Sequence, residues 1–311
     1  MRKLVLAAAV AALPAIGLAD DRREMNFSMS SGGSFRLETS QGAVTVTGTS
    51  SPGVRVVVTS RNRDLDEIFD ITQSEAPGRV EIIAKKRGNW SGWWGHNDRV
   101  RWEIEVPQET MTDIDTSGGS ITVSTLRAAV KLDTSGGSIR ASDIEGNLSA
   151  DTSGGSIRVA NVKGSANLDT SGGSINVEEV TGSVEASTSG GSVSVRNVAG
   201  DLRAESSGGS IEIENAGGRV EADTSGGSIR ASFAPGNDRG GNLETSGGGI
   251  SVSLDPNANL RIDASGNSVT TDIPMMVKGT VSKRRLSGEL GRGGEMLRMS
   301  TSGGGVRINA R

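Results

Sequence analysis

The sequence predicts an all-β fold: a parallel β-solenoid with 18-residue coils, two strands per coil and irregular terminal coils. Three observations support this prediction. The tripeptide Gly-Gly-Ser recurs with a fixed period, β-branched residues alternate with polar residues inside every repeat, and the 311-residue chain contains 45 glycines and no cysteine. A fixed period of this length is typical of stacked repeats, in which one unit cannot bury its apolar face alone.

The repeat is strictly spaced across the middle of the chain. Gly-Gly-Ser begins at Gly118, Gly136, Gly154, Gly172, Gly190, Gly208 and Gly226. A degenerate triplet starts at Gly247, after a slightly longer step, and another starts at Gly303. We therefore predict regular repeats at 113–254, irregular β structure at 20–112 that continues the solenoid, and degenerate C-terminal coils with a cap at 255–311.

Each repeat divides into two short strands and two corners. Ile157 and Val159 alternate with polar residues, and a second alternating run that includes Leu168 begins nine residues after Ile157. Alternation with a period of two is typical of a strand with one buried face. We predict positive φ at the corner glycines Gly154 and Gly155, because glycine adopts that conformation without steric cost.

Apolar residues at matching positions of successive repeats form columns. One column from each strand reads Ile121, Ile139, Ile157, Ile175, Val193, Ile211 and Ile229, and Val130, Leu148, Ala166, Val184, Leu202 and Val220. If each coil advances by one strand spacing of about 4.8 Å, the columns become continuous buried ladders. At roughly 1.5–3 kcal/mol per buried aliphatic side chain, they can offset the entropy lost in ordering each coil.

Two other folds share parts of this pattern. An antiparallel meander also alternates, but it reverses direction at each turn and gains nothing from identical columns at a fixed period. A three-sided left-handed β-helix has coils of the same length, but it divides each of them into three hexapeptides. Glycines here mark halves of nine residues, as Gly155 and Gly164 do, so we favour two faces.

The irregular N-terminal region reads as further strands of the same solenoid. We predict strands at 35–37, 44–46, 54–58, 68–71, 80–83 and 100–106, in longer coils with a capping role. Atypical terminal coils are expected because open solenoid ends expose strand edges that invite aggregation.

The segment at positions 1–19 predicts a signal peptide and hence export. Arg2 and Lys3 precede an apolar, alanine-rich run that ends at Ala19 and is followed by a charged stretch. This order is typical of a secretory signal cleaved after Ala19. An uncleaved anchor is the alternative, but an apolar run of about 15 residues is short for a bilayer span of about 20. We therefore predict a periplasmic, cell-surface or extracellular protein without a transmembrane segment after cleavage.

Net charge limits the classes of partner that the sequence predicts, and the absence of cysteine limits how the fold is stabilised. Loss of Arg2 and Lys3 with the signal peptide changes the net charge from −4 to −6. This acidic excess argues against nucleic acid and against an anionic membrane surface as partners. An exported chain without cysteine has no disulfides, so burial and hydrogen bonding must hold the fold together.

The repeated Thr-Ser-Gly-Gly-Ser-Ile motif, the Val106-Pro107 step after a predicted strand and the polar N-terminal region resemble the DUF4097 family of bacterial β-strand-repeat, adhesin-like proteins. The resemblance covers nearly all of the chain after the signal peptide. It implies an envelope or surface protein with an all-β repeat fold, and it brings no catalytic residues.

One loop concentrates the unusual side chains. Trp90, Trp93 and Trp94, three of the four tryptophans, lie there with His96, the only histidine. Exposed tryptophans on a glycine-rich loop are typical contacts for carbohydrate, peptide or a membrane interface. The alternative, which we favour, is a loop that folds back and caps the solenoid. A lone histidine without cysteine or a carboxylate cluster cannot build a metal site or a catalytic triad.

Two polar columns accompany the repeat. The acidic column comprises Asp115, Asp133, Asp151, Asp169, Glu205 and Asp223, with Ser187 in place of an acid. Stacked like charges repel, and a bound Ca²⁺ would relieve that repulsion, but we expect a solvated face that Arg140, Arg158 and Arg230 screen.

The threonine column comprises Thr116, Thr134, Thr152, Thr170, Thr188 and Thr224, with Ser206. An outward threonine array can bind ice or sugar. The alternation of inward and outward residues along the strand instead places these hydroxyls inward or at the corner, where they form hydrogen bonds with the backbone.

These observations predict a non-enzymatic exported repeat protein, an envelope scaffold or an adhesin-like interaction protein. The expected partners are an envelope protein or a glycan, and copies of the chain are able to associate end to end. No cofactor and no metal is predicted. The alternative is an enzyme that acts on cell-wall or extracellular polysaccharide, which would need clustered carboxylates in a groove.

Overall fold

The computed structural model describes residues 21–61, 63–87 and 100–311. Within these ranges, the chain contains 29 strands and one short helix. It forms two compact units, which divide after Gly146, and each is described by itself. No helix in the described ranges is both long and apolar enough to cross a membrane.

The first unit contains eleven strands and the helix. These elements are β1 (Asp21–Phe27), β2 (Ser34–Thr39), β3 (Ala43–Thr49), β4 (Val54–Ser60), α1 (Leu65–Ile68), β5 (Phe69–Ala76), β6 (Arg79–Lys86), β7 (Val100–Pro107), β8 (Met111–Thr116), β9 (Ile121–Leu126), β10 (Val130–Thr134) and β11 (Ile139–Ile144). One sheet has the order β1-β4-β7-β3-β9-β11 and the other has the order β5-β6-β2-β8-β10.

The first unit combines parallel coils with antiparallel edges. Strands β3, β7, β9 and β11 pair in parallel, and so do β2, β6, β8 and β10. The outer strands β1, β4 and β5 join by antiparallel pairing. Strand β1 is absent from the sequence-based prediction. The strand predicted at 68–71 begins at Phe69, because Ile68 ends helix α1.

The second unit contains the remaining strands. They are β12 (Leu148–Thr152), β13 (Ile157–Val162), β14 (Ala166–Thr170), β15 (Ile175–Val180), β16 (Val184–Thr188), β17 (Val193–Val198), β18 (Leu202–Ser206), β19 (Ile211–Ala216), β20 (Val220–Thr224), β21 (Ile229–Phe233), β22 (Gly241–Thr245), β23 (Ile250–Leu254), β24 (Leu260–Ser265), β25 (Val269–Thr271), β26 (Met276–Ser282), β27 (Arg285–Leu290), β28 (Glu295–Thr301) and β29 (Val306–Ala310).

Strands of the second unit alternate between two sheets. The odd-numbered strands other than β27 form one sheet, in the order β13-β15-β17-β19-β21-β23-β29-β25. The other sheet has the order β12-β14-β16-β18-β20-β22-β28-β24-β27-β26. Each regular coil therefore contributes one strand to each sheet, as the sequence predicts.

Register in the regular coils advances by one repeat per strand. Ile157 lies opposite Ile175, and Leu168 lies opposite Ala186, each one repeat later and in parallel. Ile157, Leu168 and Ile175 are fully buried, as are the equivalent residues of the other coils. The predicted fold class, a parallel β-solenoid with 18-residue coils and two strands per coil, is confirmed.

A third buried position in each coil escaped the sequence analysis. Leu126, Ile144, Val162, Val180, Val198 and Ala216 are buried at the end of the first strand of their coils. The residue before each one has positive φ, between 55° and 62°, at Thr125, Asp143, Asn161, Glu179, Asn197 and Asn215. Two consecutive outward residues thus precede an inward one, which breaks the alternation. Asparagine and aspartate tolerate this left-handed conformation better than most residues.

The corner glycines have a different role from the one predicted. Positive φ was expected at Gly154 and Gly155, but the equivalent Gly172 and Gly173 lie outside the left-handed region. A β-carbon on Gly173 would instead overlap the carbonyl oxygen of Gly155. The second glycine is therefore required by the close approach of successive coils, and positive φ falls on the other corner.

Both ends of the chain depart from sequential stacking. Strand β28 lies between β22 and β24, and β29 lies between β23 and β25. The last coil in the sequence thus fills the space between two earlier coils. In the first unit, β2 likewise lies between β6 and β8, and β3 lies between β7 and β9. The order of coils along the stack therefore differs from their order along the sequence at these places.

Candidate functional site

The predicted contact residues Trp90, Trp93, Trp94 and His96 lie outside the described residues. Their assignment to a contact loop or a cap therefore stays a prediction. The fourth tryptophan, Trp102, lies on β7 and is fully buried. Its ring packs edge-on against Phe69, with the centroids 5.9 Å apart, so it belongs to the core of the first unit.

The outer face of one sheet of the second unit is strongly acidic. The outward positions of β12, β14, β16, β18, β20 and β22 carry seven carboxylates and one arginine. The carboxylates are Asp151, Asp169, Glu185, Glu205, Glu221, Asp223 and Glu244, and we name this surface the acidic face. The arginine is Arg203. Alternation in each strand places these side chains outward, because their neighbours in the strand are buried.

The carboxylates of the acidic face stack in register. Asp151 lies opposite Asp169, Glu205 lies opposite Asp223, and Asp223 lies opposite Glu244. Partial burial, followed by the charges of Glu244 and Glu205, raises the pKa of Asp223. The column predicted from the repeat therefore exists, and it concentrates negative charge on one surface.

The same stacking occurs separately in the first unit. Asp115 lies opposite Asp133 on one side and Glu38 on the other. Partial burial, followed by the charges of Asp133 and Glu38, raises the pKa of Asp115. The charge of Arg36, which lies 3.4 Å from Asp113, acts in the opposite direction and only partly offsets these effects.

Arg203 is the counter-charge at the centre of the acidic face. Its guanidinium contacts Glu205, lies 3.2 Å from Glu221 and lies 3.8 Å from Glu185. The charge of Glu205 is the largest cause of a raised pKa at Arg203. Arg219, which precedes β20, also lies 3.4 Å from Glu221. Two guanidiniums thus partly compensate three carboxylates, and the surface remains acidic.

The arginines that were expected to screen the acidic column lie on the other sheet and do not screen it. Arg140, Arg158 and Arg230 belong to β11, β13 and β21, which are strands of the sheet opposite the acidic column. Arg230 pairs with Glu212, 3.6 Å away on its own sheet. The prediction failed because these arginines lie on the first strand of their coils and the acids lie on the second, so the two sets of side chains belong to different sheets.

The opposite face of the second unit is mixed in charge. From β13 to β23 it carries three arginines and four glutamates, namely Arg158, Arg196, Arg230, Glu178, Glu179, Glu212 and Glu214. Arg196 and Glu214 are 3.2 Å apart on neighbouring strands. The two outer faces of this unit therefore differ in charge, although they share one repeat.

The threonine column is structural. Thr170 is buried, and its hydroxyl donates to the carbonyl of Gly155, 2.8 Å away in the preceding coil. The same hydroxyl accepts a hydrogen bond from the backbone N–H of Gly173, at 3.3 Å. Ser206 makes the equivalent pair of bonds to Gly191 and Gly209. These hydroxyls satisfy buried backbone groups, as the sequence analysis expected.

The carboxylates do not converge as metal ligands do. In the ranges that the structure describes, no group of three or more histidine, cysteine, aspartate or glutamate side chains is placed to hold an ion. The column runs along the sheet with at most one acid per strand, whereas a Ca²⁺ site gathers six to eight oxygens around one point. The neighbouring outward column, in which Glu185, Arg203 and Glu221 follow one another, was missed, although strand parity alone indicates it.

Fold and surface together define a class, a two-sheet β-solenoid repeat protein that presents broad charged faces. The model of the family called Toastrack DUF4097 matches residues 33–239. The chain belongs to this family, which confirms the resemblance seen in the repeat motif.

Two solved structures are similar over most of the chain. One is a putative cell adhesion protein from Clostridium sporogenes, with 11% sequence identity and a TM-score of 0.25. The other is a putative adhesin from Bacteroides fragilis, with 11% identity and a TM-score of 0.38. Each alignment covers 94% of this chain and 100% of the other. A comparison with curated proteins found no match.

Proposed function

We propose that this protein is an exported, non-enzymatic interaction protein of the cell envelope that acts as an adhesin-like scaffold. The observation that carries the proposal is the acidic face, which presents seven carboxylates on six strands of one sheet, five of them in one column in register. A regular array of this kind offers many equivalent contacts to an extended partner. Affinity then arises from the sum of weak interactions and does not need one deep pocket.

The charge of the acidic face indicates the chemistry of the partner. A patch of one sign attracts the opposite sign and speeds encounter with it. We therefore favour an envelope protein with a basic surface. The mixed opposite face, where Arg196 pairs with Glu214, lacks this preference.

The alternative of a polysaccharide hydrolase receives less support from the geometry. Such enzymes place two carboxyl groups on either side of the bond that breaks. Glu205 and Asp223 instead lie side by side on an open sheet surface, in register on neighbouring strands. This arrangement suits adhesion to a surface and not the enclosure of a sugar ring.

A binding experiment with matched charge variants tests the proposal. The chain from residue 20 onward is immobilised and exposed to solubilised envelope fractions, and bound protein is quantified. Glu185→Gln with Asp223→Asn removes two charges from the acidic face, and we expect capture to fall. Glu178→Gln with Glu179→Gln removes the same charge from the opposite face, and we expect capture to persist. Equal capture by both variants would contradict the proposal.

The tryptophan loop provides a second test of how the scaffold binds. Replacing Trp90, Trp93 and Trp94 by alanine should cost several kcal/mol of stability if the loop caps the solenoid, because large buried side chains are lost. If the loop is a contact site, the free energy of unfolding should hardly change while capture of envelope partners falls. We predict the cap. A triple variant with unchanged stability and lost binding would show that this prediction is wrong.

Export itself is a prediction from positions 1–19, and fractionation of cells that produce the protein tests it. We expect the protein in the periplasmic, surface or extracellular fraction, with the signal peptide removed after Ala19. Recovery of an uncleaved chain from the cytoplasm would contradict an envelope role.

A further inference from the structure

A hairpin near the C-terminus carries the most unusual surface of the second unit. Strands β26 and β27 pair in antiparallel fashion, and β26 forms the edge of its sheet. Three of the four large apolar side chains that are at least half exposed in the described part of the chain lie on β26: Met276 at 63%, Val277 at 50% and Val281 at 58%. Such side chains are scattered singly on most surfaces, so their concentration on one strand indicates a contact.

Two of these side chains extend the core face of the sheet. Val277 lies opposite Gly288, and Val281 lies opposite Leu286. Leu286 is buried, so its face of β27 looks toward the interior. Val277 and Val281 therefore continue the buried face of the sheet to its edge, where they are exposed to solvent. We name these two residues the apolar margin.

Positive charge surrounds this apolar margin. Lys278, Lys283, Arg284 and Arg285 lie within residues 273–288, which contain no aspartate or glutamate. Lys278 is 2.7 Å from Glu289, and Arg285 is 3.2 Å from Asp263. Lys283 and Arg284 form the two-residue turn of the hairpin, and their side chains are exposed.

The backbone of the turn is held in place. The carbonyl of Lys283 accepts a hydrogen bond from the N–H of Val269 at 2.9 Å, and the carbonyl of Arg284 accepts one from Gly266 at 3.1 Å. The two cationic side chains thus project from an anchored turn. Their replacement leaves these backbone bonds intact.

Exposed apolar side chains beside lysine and arginine are the combination that holds peripheral proteins at a bilayer. The apolar groups enter the interface, and the cations gain about 1 kcal/mol each near anionic lipid. We propose that the β26–β27 hairpin docks this end of the second unit onto a bilayer that contains anionic phospholipid. Val277 and Val281 enter the interfacial region, and Lys283 and Arg284 contact headgroup phosphates.

Other occupants fit the hairpin less well. A second copy that paired its own β26 with this one would bring together two hairpins that each carry Lys283 and Arg284 beyond the cations that pair with Glu289 and Asp263, which is unfavourable. Nucleic acid would satisfy the cations but would leave Val277 and Val281 exposed to water. The net charge of −6 after loss of Arg2 and Lys3 argued against an anionic membrane, but binding depends on local charge, and the hairpin is locally basic.

Vesicle co-sedimentation tests the proposal. The chain from residue 20 onward is used, because the predicted signal peptide would itself bind lipid. We expect it to sediment with vesicles of phosphatidylcholine and phosphatidylglycerol but not with phosphatidylcholine alone. Lys283→Glu with Arg284→Glu should weaken partitioning roughly thirtyfold or more, since two cations are lost from the membrane surface. Arg140→Glu with Arg158→Glu makes the same change in net charge elsewhere and should leave binding unchanged.

Two further measurements distinguish the outcomes. Val277→Ser with Val281→Ser should weaken binding to anionic vesicles in high salt, where electrostatic attraction alone is screened. The proposal would be overturned if vesicle binding fell equally in Lys283→Glu with Arg284→Glu and in Arg140→Glu with Arg158→Glu. It would also be overturned if the unchanged protein did not bind anionic vesicles. Sedimentation velocity without lipid should show no association that depends on the hairpin. A concentration-dependent oligomer abolished by Lys283→Glu with Arg284→Glu would assign the hairpin to a second copy and overturn membrane docking.

Discussion

Gly173 lies so close to Gly155, one coil earlier, that a β-carbon on Gly173 would overlap the Gly155 carbonyl oxygen. The same close approach recurs between Gly191 and Gly173 and between Gly209 and Gly191. The neighbouring Gly172 is different, because a β-carbon there would be 3.5 Å from its nearest neighbour. The two glycines of one corner therefore have unequal roles.

Alanine substitution should separate these two roles. Gly173→Ala forces the backbone of adjacent coils apart, and we expect it to cost about 1–3 kcal/mol or more, as overpacking does. Gly172→Ala makes ordinary van der Waals contact and should leave the free energy of unfolding nearly unchanged. Urea denaturation of both variants measures the difference. Equal stabilities would show that close approach does not determine the second glycine.

The threonine column predicts a second stability difference. Thr170→Val keeps the shape of the side chain but leaves the Gly155 carbonyl and the Gly173 N–H without their hydroxyl partner. An unsatisfied buried polar group costs about 1–3 kcal/mol. We therefore expect Thr170→Val to lower the free energy of unfolding by that amount.

Serine is the matched control for Thr170. Ser206 already occupies the equivalent position of another coil and donates to the Gly191 carbonyl at 2.8 Å. Thr170→Ser should therefore retain most of the stability that Thr170→Val loses. If the Thr170→Val variant were as stable as the unchanged protein and the Thr170→Ser variant, the hydroxyl would not contribute to the contact between coils.

The acidic face predicts a dependence on pH. The pKa of Asp223 is raised by burial, Glu244 and Glu205. A carboxyl whose pKa is higher in the folded chain favours folding when protonated, and that contribution is lost as the pH rises through the folded pKa. Asp223→Asn should therefore raise stability at neutral pH. The gain should disappear below the unfolded pKa of about 3.9.

Asp255 provides a control of opposite sign. Backbone N–H groups of Asn257 and Gly236 donate to its carboxylate at 2.9 and 3.0 Å and lower its pKa. This stabilisation is present above the unfolded pKa and is lost as the pH falls through the folded pKa. Asp255→Asn should therefore lower stability at neutral pH, and the loss should shrink in acid. Thermal denaturation across pH compares Asp223→Asn with Asp255→Asn. If both substitutions changed stability at neutral pH in the same direction, the assigned directions of the two pKa shifts would be contradicted.

Much of the regular array follows from sequence alone. The columns that contain Ile157 and Leu168 have a fixed 18-residue spacing and alternate with polar residues, and both signals point to the same buried faces. Threonine at position 170 follows the same parity, so its inward placement was predictable. Local pattern and global stacking agree here, which is why the prediction succeeds.

Other features depend on contacts that no local pattern records. Val162 is buried because Asn161 has a φ of 56°, which breaks the alternation on which the prediction relied. The expectation that Arg158 screens the acidic column was a separate error, because Arg158 lies on the first strand of its coil and the acids lie on the second. The placement of β28 between β22 and β24 arises from long-range pairing and has no counterpart in the repeat spacing.

The hairpin surface was missed for a related reason. Net charge averages Lys283 and Arg284 with acids elsewhere in the chain, so the composition pointed away from anionic lipid. Only the exposure of Val277 and Val281 beside these cations shows that the local surface differs from the average.

Deleting one complete coil tests the central claim, that 18-residue coils stack as interchangeable units on two sheets. Removal of residues 165–182 joins Gly164 to Ser183 and keeps every column in register. We expect a folded protein with a β-rich circular dichroism spectrum, a cooperative thermal transition and a modestly lower melting temperature. Removal of residues 165–173, half a coil, would direct the strand that begins at Ile175 to the wrong sheet, and we expect this variant to lose the cooperative transition. Equal stability of the two deletions, or unfolding of the full-coil deletion, would contradict the stacking of 18-residue coils.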